Sequence, residues 1–237
     1  MNKSTLITLS FSSSCLLLFF LLFSGSAIAE KESPEAVAKR LQSRYDTIKS
    51  ITFDFTQNTR GQLGGRPKKG RGQAFFVKDT NKKDSMGKMR WNYSAPDRQV
   101  LVSDGVNFSM YFESLQQMIV SSAKTLQQDL TYSFFTGSGN LLEDFTILPP
   151  DKQGNNSEQT VLIKLIPKAK HSQVAAIHLW VTEDSLIRRI EILDHFDTLT
   201  VLNFSNLKVD TLDTTDMDLM FKLFSFTPPE GTEIIHQ

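Results

Sequence analysis

Residues 87–112 read GKMRWNYSAPDRQVLVSDGVNFSMYF, three short apolar runs punctuated by Ala95-Pro96-Asp97 and Asp104-Gly105. Val106, Phe108, Met110 and Phe112 are apolar while Asn107 and Ser109 between them are polar, the two-residue period of a strand with one dry face. Asp104-Gly105 supplies the positive φ of a tight turn, so residues 98–103 are predicted to pair antiparallel with 106–112. A chain built on such hairpins folds mainly as sheet, and the dry face needs something to cover it.

The rest of the sequence extends this pattern. Ser33-Pro34-Glu35 is a helix start, and Val37, Leu41, Tyr45 and Ile48 form one apolar stripe on a helix predicted to end near Ser50. Ile51, Phe53 and Phe55 then alternate with Thr52, Asp54 and Thr56 as a strand. Residues 60–72 hold five Gly, one Pro and five basic residues and read as a mobile basic hairpin loop, followed by a strand over 73–78 and a polar turn over 79–88. After a short strand at 118–121, Leu126, Leu130 and Phe134 fall at helical spacing, and Leu141, Leu142 and Phe145 begin a second short apolar turn. Strands are predicted over 145–148, 160–166, 174–182, 186–194 and 199–209, with one helical turn over 216–221. In the strand at 174–182, Ile177, Leu179 and Val181 lie on one face, His178, Trp180 and Thr182 on the other. About eleven strands with a few short helices suggest a strongly curved antiparallel sheet, closed or nearly so, with helices at its mouth.

The first residues stand apart from this fold. Lys3, the apolar run 16–23 and Ala27-Ile28-Ala29 make residues 1–29 a secretory signal peptide, leaving 30–237 as one domain. The rival reading is an uncleaved membrane anchor, since residues 6–23 approach the ~20 needed to span a bilayer. Cys15 is the only cysteine, so the chain beyond the signal has neither disulfide nor thiol chemistry. With 26 basic and 26 acidic residues, the charge balance gives no footprint for nucleic acid. The unusual number is 18 Phe against 2 Trp and 4 Tyr, more than one ordinary core needs.

Catalytic constellations are missing. His171 lies in a polar loop, His178 and His195 sit on or beside strands, and His236 is next to the terminus; none belongs to a His-x-x-x-His pair. There is no Gly-x-Ser-x-Gly elbow, and Gly137-Ser138-Gly139 lacks the Lys-Ser/Thr of a phosphate loop. Asp210, Asp213, Asp216 and Asp218 miss the calcium-loop spacing and read as a solvated acidic turn.

Several segments resemble one family, the periplasmic outer-membrane lipoprotein carrier proteins of the LolA type. They are Phe55-Thr56-Gln57, Gly87-Lys88-Met89-Arg90-Trp91, and Pro96-Asp97-x-Gln99-Val100-Leu101-Val102-Ser103-Asp104-Gly105. Leu141-Leu142-Glu143-Asp144-Phe145, Pro167-Lys168-Ala169 and Phe226-Thr227-Pro228-Pro229-Glu230-Gly231 follow in the family's order. The resemblance implies an incomplete, half-open antiparallel β-barrel whose concave apolar face is covered by an α-helical lid. It implies a monomeric periplasmic chaperone that accepts acylated lipoproteins from an inner-membrane ABC-type release complex and delivers them to an outer-membrane lipoprotein acceptor. Neither cofactor nor metal nor catalytic step is expected.

On this reading Phe53, Phe55, Met89, Trp91, Phe108 and Met110 line the sheet side of an acyl-chain cavity, and Leu130, Phe134, Leu142 and Phe145 the lid side. Met suits such a surface because its unbranched chain repacks around different ligands. The sequence departs from the family at the turn before Met89-Arg90-Trp91, where the family's Lys-Arg-Pro is replaced by Lys78-Asp79-Thr80 and a longer turn, and Met89 stands where Phe is usual. The Arg thought to hold the lid is absent there, which leaves Lys78 and Arg90 as candidates for that contact. A related barrel that carries or senses another lipid or glycolipid would show the same apolar face. A secreted hydrolase is the third class and would require a polar constellation inside the cavity.

Overall fold

Ser33 caps the first helix through its hydroxyl, which accepts from Ala36 N at 3.2 Å, and Pro34 opens α1 (Pro34–Thr47). The chain then forms β1 (Ser50–Arg60), β2 (Lys68–Val77), β3 (Lys88–Ala95), β4 (Gln99–Ser103), β5 (Asn107–Phe112) and β6 (Gln117–Ser122). A 3-10 segment (Ala123–Gln128), α2 (Leu130–Thr136) and α3 (Leu141–Asp144) interrupt the strands. β7 (Phe145–Leu148), β8 (Thr160–Pro167), β9 (Val174–Thr182), β10 (Ile187–Asp194), β11 (Leu199–Val209), α4 (Met217–Phe224) and β12 (Glu233–His236) complete the order. This computed structural model describes residues 32–61, 66–78, 86–136, 139–153, 159–169 and 173–237. The segment assigned to a signal peptide, His171 and most of the turn over 79–88 lie outside the described residues.

Among the described residues the strands form one sheet in the order β12-β6-β5-β4-β3-β2-β1-β11-β10-β9-β8-β7. The end strands do not pair with each other, so the sheet is an open barrel and not a closed one. Three expectations are corrected. The loop predicted over 60–72 is shorter at both ends, because β1 runs to Arg60 and β2 begins at Lys68, with Thr59 paired to Lys68. A twelfth strand runs parallel to β6, pairing Ile234 with Met118, so the sheet is not purely antiparallel. The helical turn near 216–221 is an eight-residue helix, capped by the Asp216 carboxylate accepting from Leu219 N at 2.9 Å.

The opening hairpin forms as predicted, with Ser103 paired to Phe108 across Gly105 at φ +93°. Its single dry face is the part that needs correcting. Phe108 faces the inner core, but Tyr111 on the other face is buried against Val100, Val102 and Met118 in a second cluster that α4 covers with Met220 and Phe224. Val106 stays exposed in the turn. The sheet therefore buries both faces, the inner one under α1, α2 and α3, the outer one in part under α4.

β9 is also buried on both faces. The Lys152 ammonium and the Arg189 guanidinium lie 5.0 and 4.8 Å from the Trp180 ring, and both pair with the buried Glu191.

Candidate functional site beneath the helices

The inner face is built on a contrast of side-chain size. Directly paired residues share a face of the sheet. Phe53 pairs with Ala74, which pairs with Trp91; Phe55 pairs with Gly72, which pairs with Tyr93. Small residues on β2 thus let the rings of β1 and β3 meet above it. Trp91 lies 5.8 Å from Phe53 and 4.6 Å from Phe55, and Tyr93 lies 4.8 Å from Phe55, all edge to face. A Cβ at Gly72 would stand 1.8 Å from the Asn92 carbonyl oxygen, so no other residue fits there.

The helices complete the layer. Phe135 of α2 meets Phe76 at 4.9 Å, Phe53 at 5.1 Å and Phe204 at 5.7 Å, while Phe134 meets Tyr45 of α1 at 4.3 Å. The Tyr45 hydroxyl accepts from Ile187 N at 3.3 Å, and burial pushes its pKa up, so it stays a neutral phenol within the layer.

The predicted lining residues mostly gather here. Phe53, Phe55, Met89, Trp91, Phe108, Phe134 and Phe145 are buried in one cluster, and Met110 packs half-buried against it. Leu142 does not join them. It is 39% exposed, and Leu141 takes the buried place instead, because the short helix α3 turns the second leucine outward. Leu130 opens α2, and its side chain lies outside the described residues. Tyr45, Phe76, Phe135 and Phe204 belong to the same layer and were not among the predicted residues. The signal for Phe76 and Phe204 was their two-residue alternation opposite β1, and for Tyr45 its place in the apolar stripe of α1.

Among the described residues, polar links join the helices to the sheet and to one another. Tyr132 Oη donates to the Gly87 carbonyl at 2.8 Å, in a buried position, and burial pushes that phenol up to about 12. A Cβ at Gly87 would stand 2.7 Å from Thr136 Cβ and 2.8 Å from the Val77 carbonyl oxygen, so the bare glycine lets α2 seat on the start of β3. Asp129 Oδ1 accepts from Tyr132 N at 2.7 Å, Leu141 N donates to Gln42 Oε1 of α1 at 2.8 Å, and Lys168 Nζ donates to the Leu142 carbonyl at 2.9 Å.

Neither residue proposed to hold α2 and α3 does so. The Lys78 ammonium donates to the Tyr45 carbonyl at the end of α1, and desolvation lowers its pKa. Arg90 Nη1 donates to the Leu223 and Ser225 carbonyls at 2.9 and 3.0 Å, binding the end of α4 on the opposite face. Alternation explains the error: Met89 and Trp91 face inward, so Arg90 must face outward.

Residues 46–224 match the family described as outer membrane lipoprotein carrier protein LolA. The chain belongs to that family. An outer-membrane lipoprotein carrier protein of Methylococcus capsulatus is 32% identical over 217 residues, 90% of this chain and 93% of that protein. A second, from Nitrosomonas europaea, is 30% identical over 63% of this chain and 68% of its own length. The crystal structure of a LolA superfamily protein from Nitrosomonas europaea covers 82% of this chain and 98% of its own at a TM-score of 0.41, with 14% identity. The open sheet beneath short helices is the fold expected of a LolA-type chain.

Proposed function

We propose that this protein binds the acyl chains of lipoproteins between its inner sheet face and the helices α2 and α3, and carries them across the periplasm from the inner to the outer membrane. The observation that carries the reading is the aromatic layer just described, placed under short helices. An inner-membrane release complex of the ABC type and an outer-membrane acceptor are the partners this reading requires.

The energetics are balanced in a way that suits a carrier. The layer is closed by the protein's own side chains, so an acyl chain enters only when the helices move off. Uncovering Leu126, Phe134, Phe135 and Leu141 costs about 1.5–3 kcal/mol each, roughly 6–12 kcal/mol together. Burying a fifteen-methylene chain returns on the order of 12 kcal/mol at about 0.8 per CH₂. One acyl chain therefore roughly offsets the displaced helices, and a multiply acylated lipoprotein exceeds them. Release into water would forfeit the whole gain, so transfer goes directly from one apolar surface to the next.

A fluorescent fatty acid or acyl-peptide titration tests the reading. Saturable binding is expected, lost in Phe134→Glu and weakened in Trp91→Glu while the sheet's circular dichroism persists. Binding that survives both substitutions in folded protein would rule out the inner face. Mass spectrometry of ligand copurified with the protein would identify the cargo, and a glycolipid in place of acylated peptide would redirect the assignment.

A further inference from the structure

One rim of the sheet carries a cationic surface that the inner face does not use. Strand direction brings the end of β1, the start of β2, the end of β3, the end of β10 and the start of β11 to the same edge, as the pairs Thr59 with Lys68, Arg60 with Leu199, Arg71 with Ala95 and Leu193 with Leu199 require. Arg60, Arg66, Lys68, Lys69 and Arg71 are all exposed on this rim, and the sequence has no Asp or Glu between Asp54 and Asp79. Among the described residues none of the five enters a salt bridge, whereas Arg40, Arg98, Lys152, Lys164 and Arg189 each have an acidic partner.

The neighbouring turn presents a ring. Phe196, at the tip of the β10–β11 hairpin, is 85% exposed. Its turn is well braced: Asp194 Oδ1 accepts from Phe196 N and Thr198 N, both at 2.8 Å, and Asp197 sits at φ +59° with its N–H on the Asp194 carbonyl at 3.2 Å. The ring is therefore held outward by backbone geometry. β11, which carries this turn, lies two strand spacings, about 10 Å, from β2. Acidic groups on the rim are Asp97, Glu113, which pairs with Arg98, Asp194 and Asp197, so the five cations and Arg98 outnumber them.

We infer that this rim docks the protein on an anionic phospholipid surface, with Phe196 entering the headgroup–acyl boundary and the five cations meeting lipid phosphates. An aromatic ring beside clustered Lys and Arg is the chemistry that recognises a charged bilayer interface. An acidic protein fits less well, because a lone ring on a convex turn seeks a fluid apolar layer more than a preformed pocket.

Cosedimentation of the purified protein with vesicles tests this. Vesicles of phosphatidylcholine and phosphatidylglycerol in equal parts should capture it at low salt and release it as salt rises, while phosphatidylcholine alone should not capture it. The triple variant Lys68→Gln, Lys69→Gln, Arg71→Gln should lower partitioning on the order of a hundredfold, and Phe196→Ser about tenfold. Both variants should keep wild-type thermal stability and fatty-acid affinity, which separates this outcome from a failure of the acyl-carrier reading. Wild-type protein left in the supernatant with anionic vesicles overturns the inference, as do folded variants that partition like wild type. Should the triple variant not fold, the salt dependence of wild type and the behaviour of Phe196→Ser decide alone. Capture by polyglutamate without capture by anionic vesicles would assign the rim to an acidic protein and overturn the lipid assignment.

Discussion

Gly87 and Tyr132 together decide how firmly α2 sits, since one offers a carbonyl and an empty Cβ position and the other a hydroxyl. Gly87→Ala should destabilise by about 1–3 kcal/mol through its contact with Thr136, measured by urea unfolding. Tyr132→Phe should cost about 1 kcal/mol and, by loosening the helix, tighten fatty-acid binding roughly fivefold; unchanged or weaker binding would show that α2 does not gate the layer. A different residue governs the pH response. His178 is pushed below its ordinary pKa of 6.5 by burial, which its hydrogen bond to Asp151 at 2.7 Å only partly offsets. Since Asp151 can only accept as a carboxylate, the neutral ring donates from Nε2. The unfolded chain takes up the proton first, so stability is full above about 6.5 and declines as pH falls below it. Asp151, held down to about 2 by Lys164 and His178, adds a second loss as pH falls from 3.8 towards 2. His178→Gln should flatten the upper decline in Tm and lessen the lower one, which Lys164 then maintains. From sequence, the inward alternation of Phe53, Phe55, Met89 and Trp91 was legible because period two is a local property. That Tyr132, not Lys78, reaches the sheet under the helices was not, since it depends on a glycine 45 residues away.

At the level of elements, the C-terminal end of α4 is bonded by a side chain from the outer face of β3. Arg90 bonds two carbonyls at its C-terminal end, where a helix leaves them without partners, and its guanidinium also lies 5.9 Å from the Phe226 ring. Arg90→Ala should cost about 2 kcal/mol and raise hydrogen exchange in residues 217–224 before the rest of the chain; uniform exchange would show that the helix does not open on its own. For α3 the expectation is a contrast, with Leu141→Glu destabilising and Leu142→Glu within about 0.5 kcal/mol of wild type. The helices and most strands were readable from periodicity and caps. Residues 60–72 were misread because Gly and Lys are ordinarily loop residues, yet Gly70 and Gly72 lie in a strand: the Tyr93 ring and the Asn92 backbone occupy the space their side chains would need. β12 escaped notice because four residues give too few periods to recognise.

For the molecule as a whole, the open sheet leaves two edges to protect. One is β7, only four residues long and followed by Pro149-Pro150, which cannot donate to an added strand. The other would be β6 were β12 not laid along it. Removing residues 233–237 should therefore expose Met118 to Val120 as a pairing edge and give concentration-dependent association in analytical ultracentrifugation. The centre of the sheet carries a further consequence. β1 lies between β2 and β11, pairing Ile51 with Val209, and α1 packs on β7 and β8. A chain made from its N-terminus forward thus holds its first helix and first strand half-covered until its last third has arrived. Loop closure over that span is slow, so the early half must wait, with its Phe-rich strand open to any other apolar surface that reaches it first.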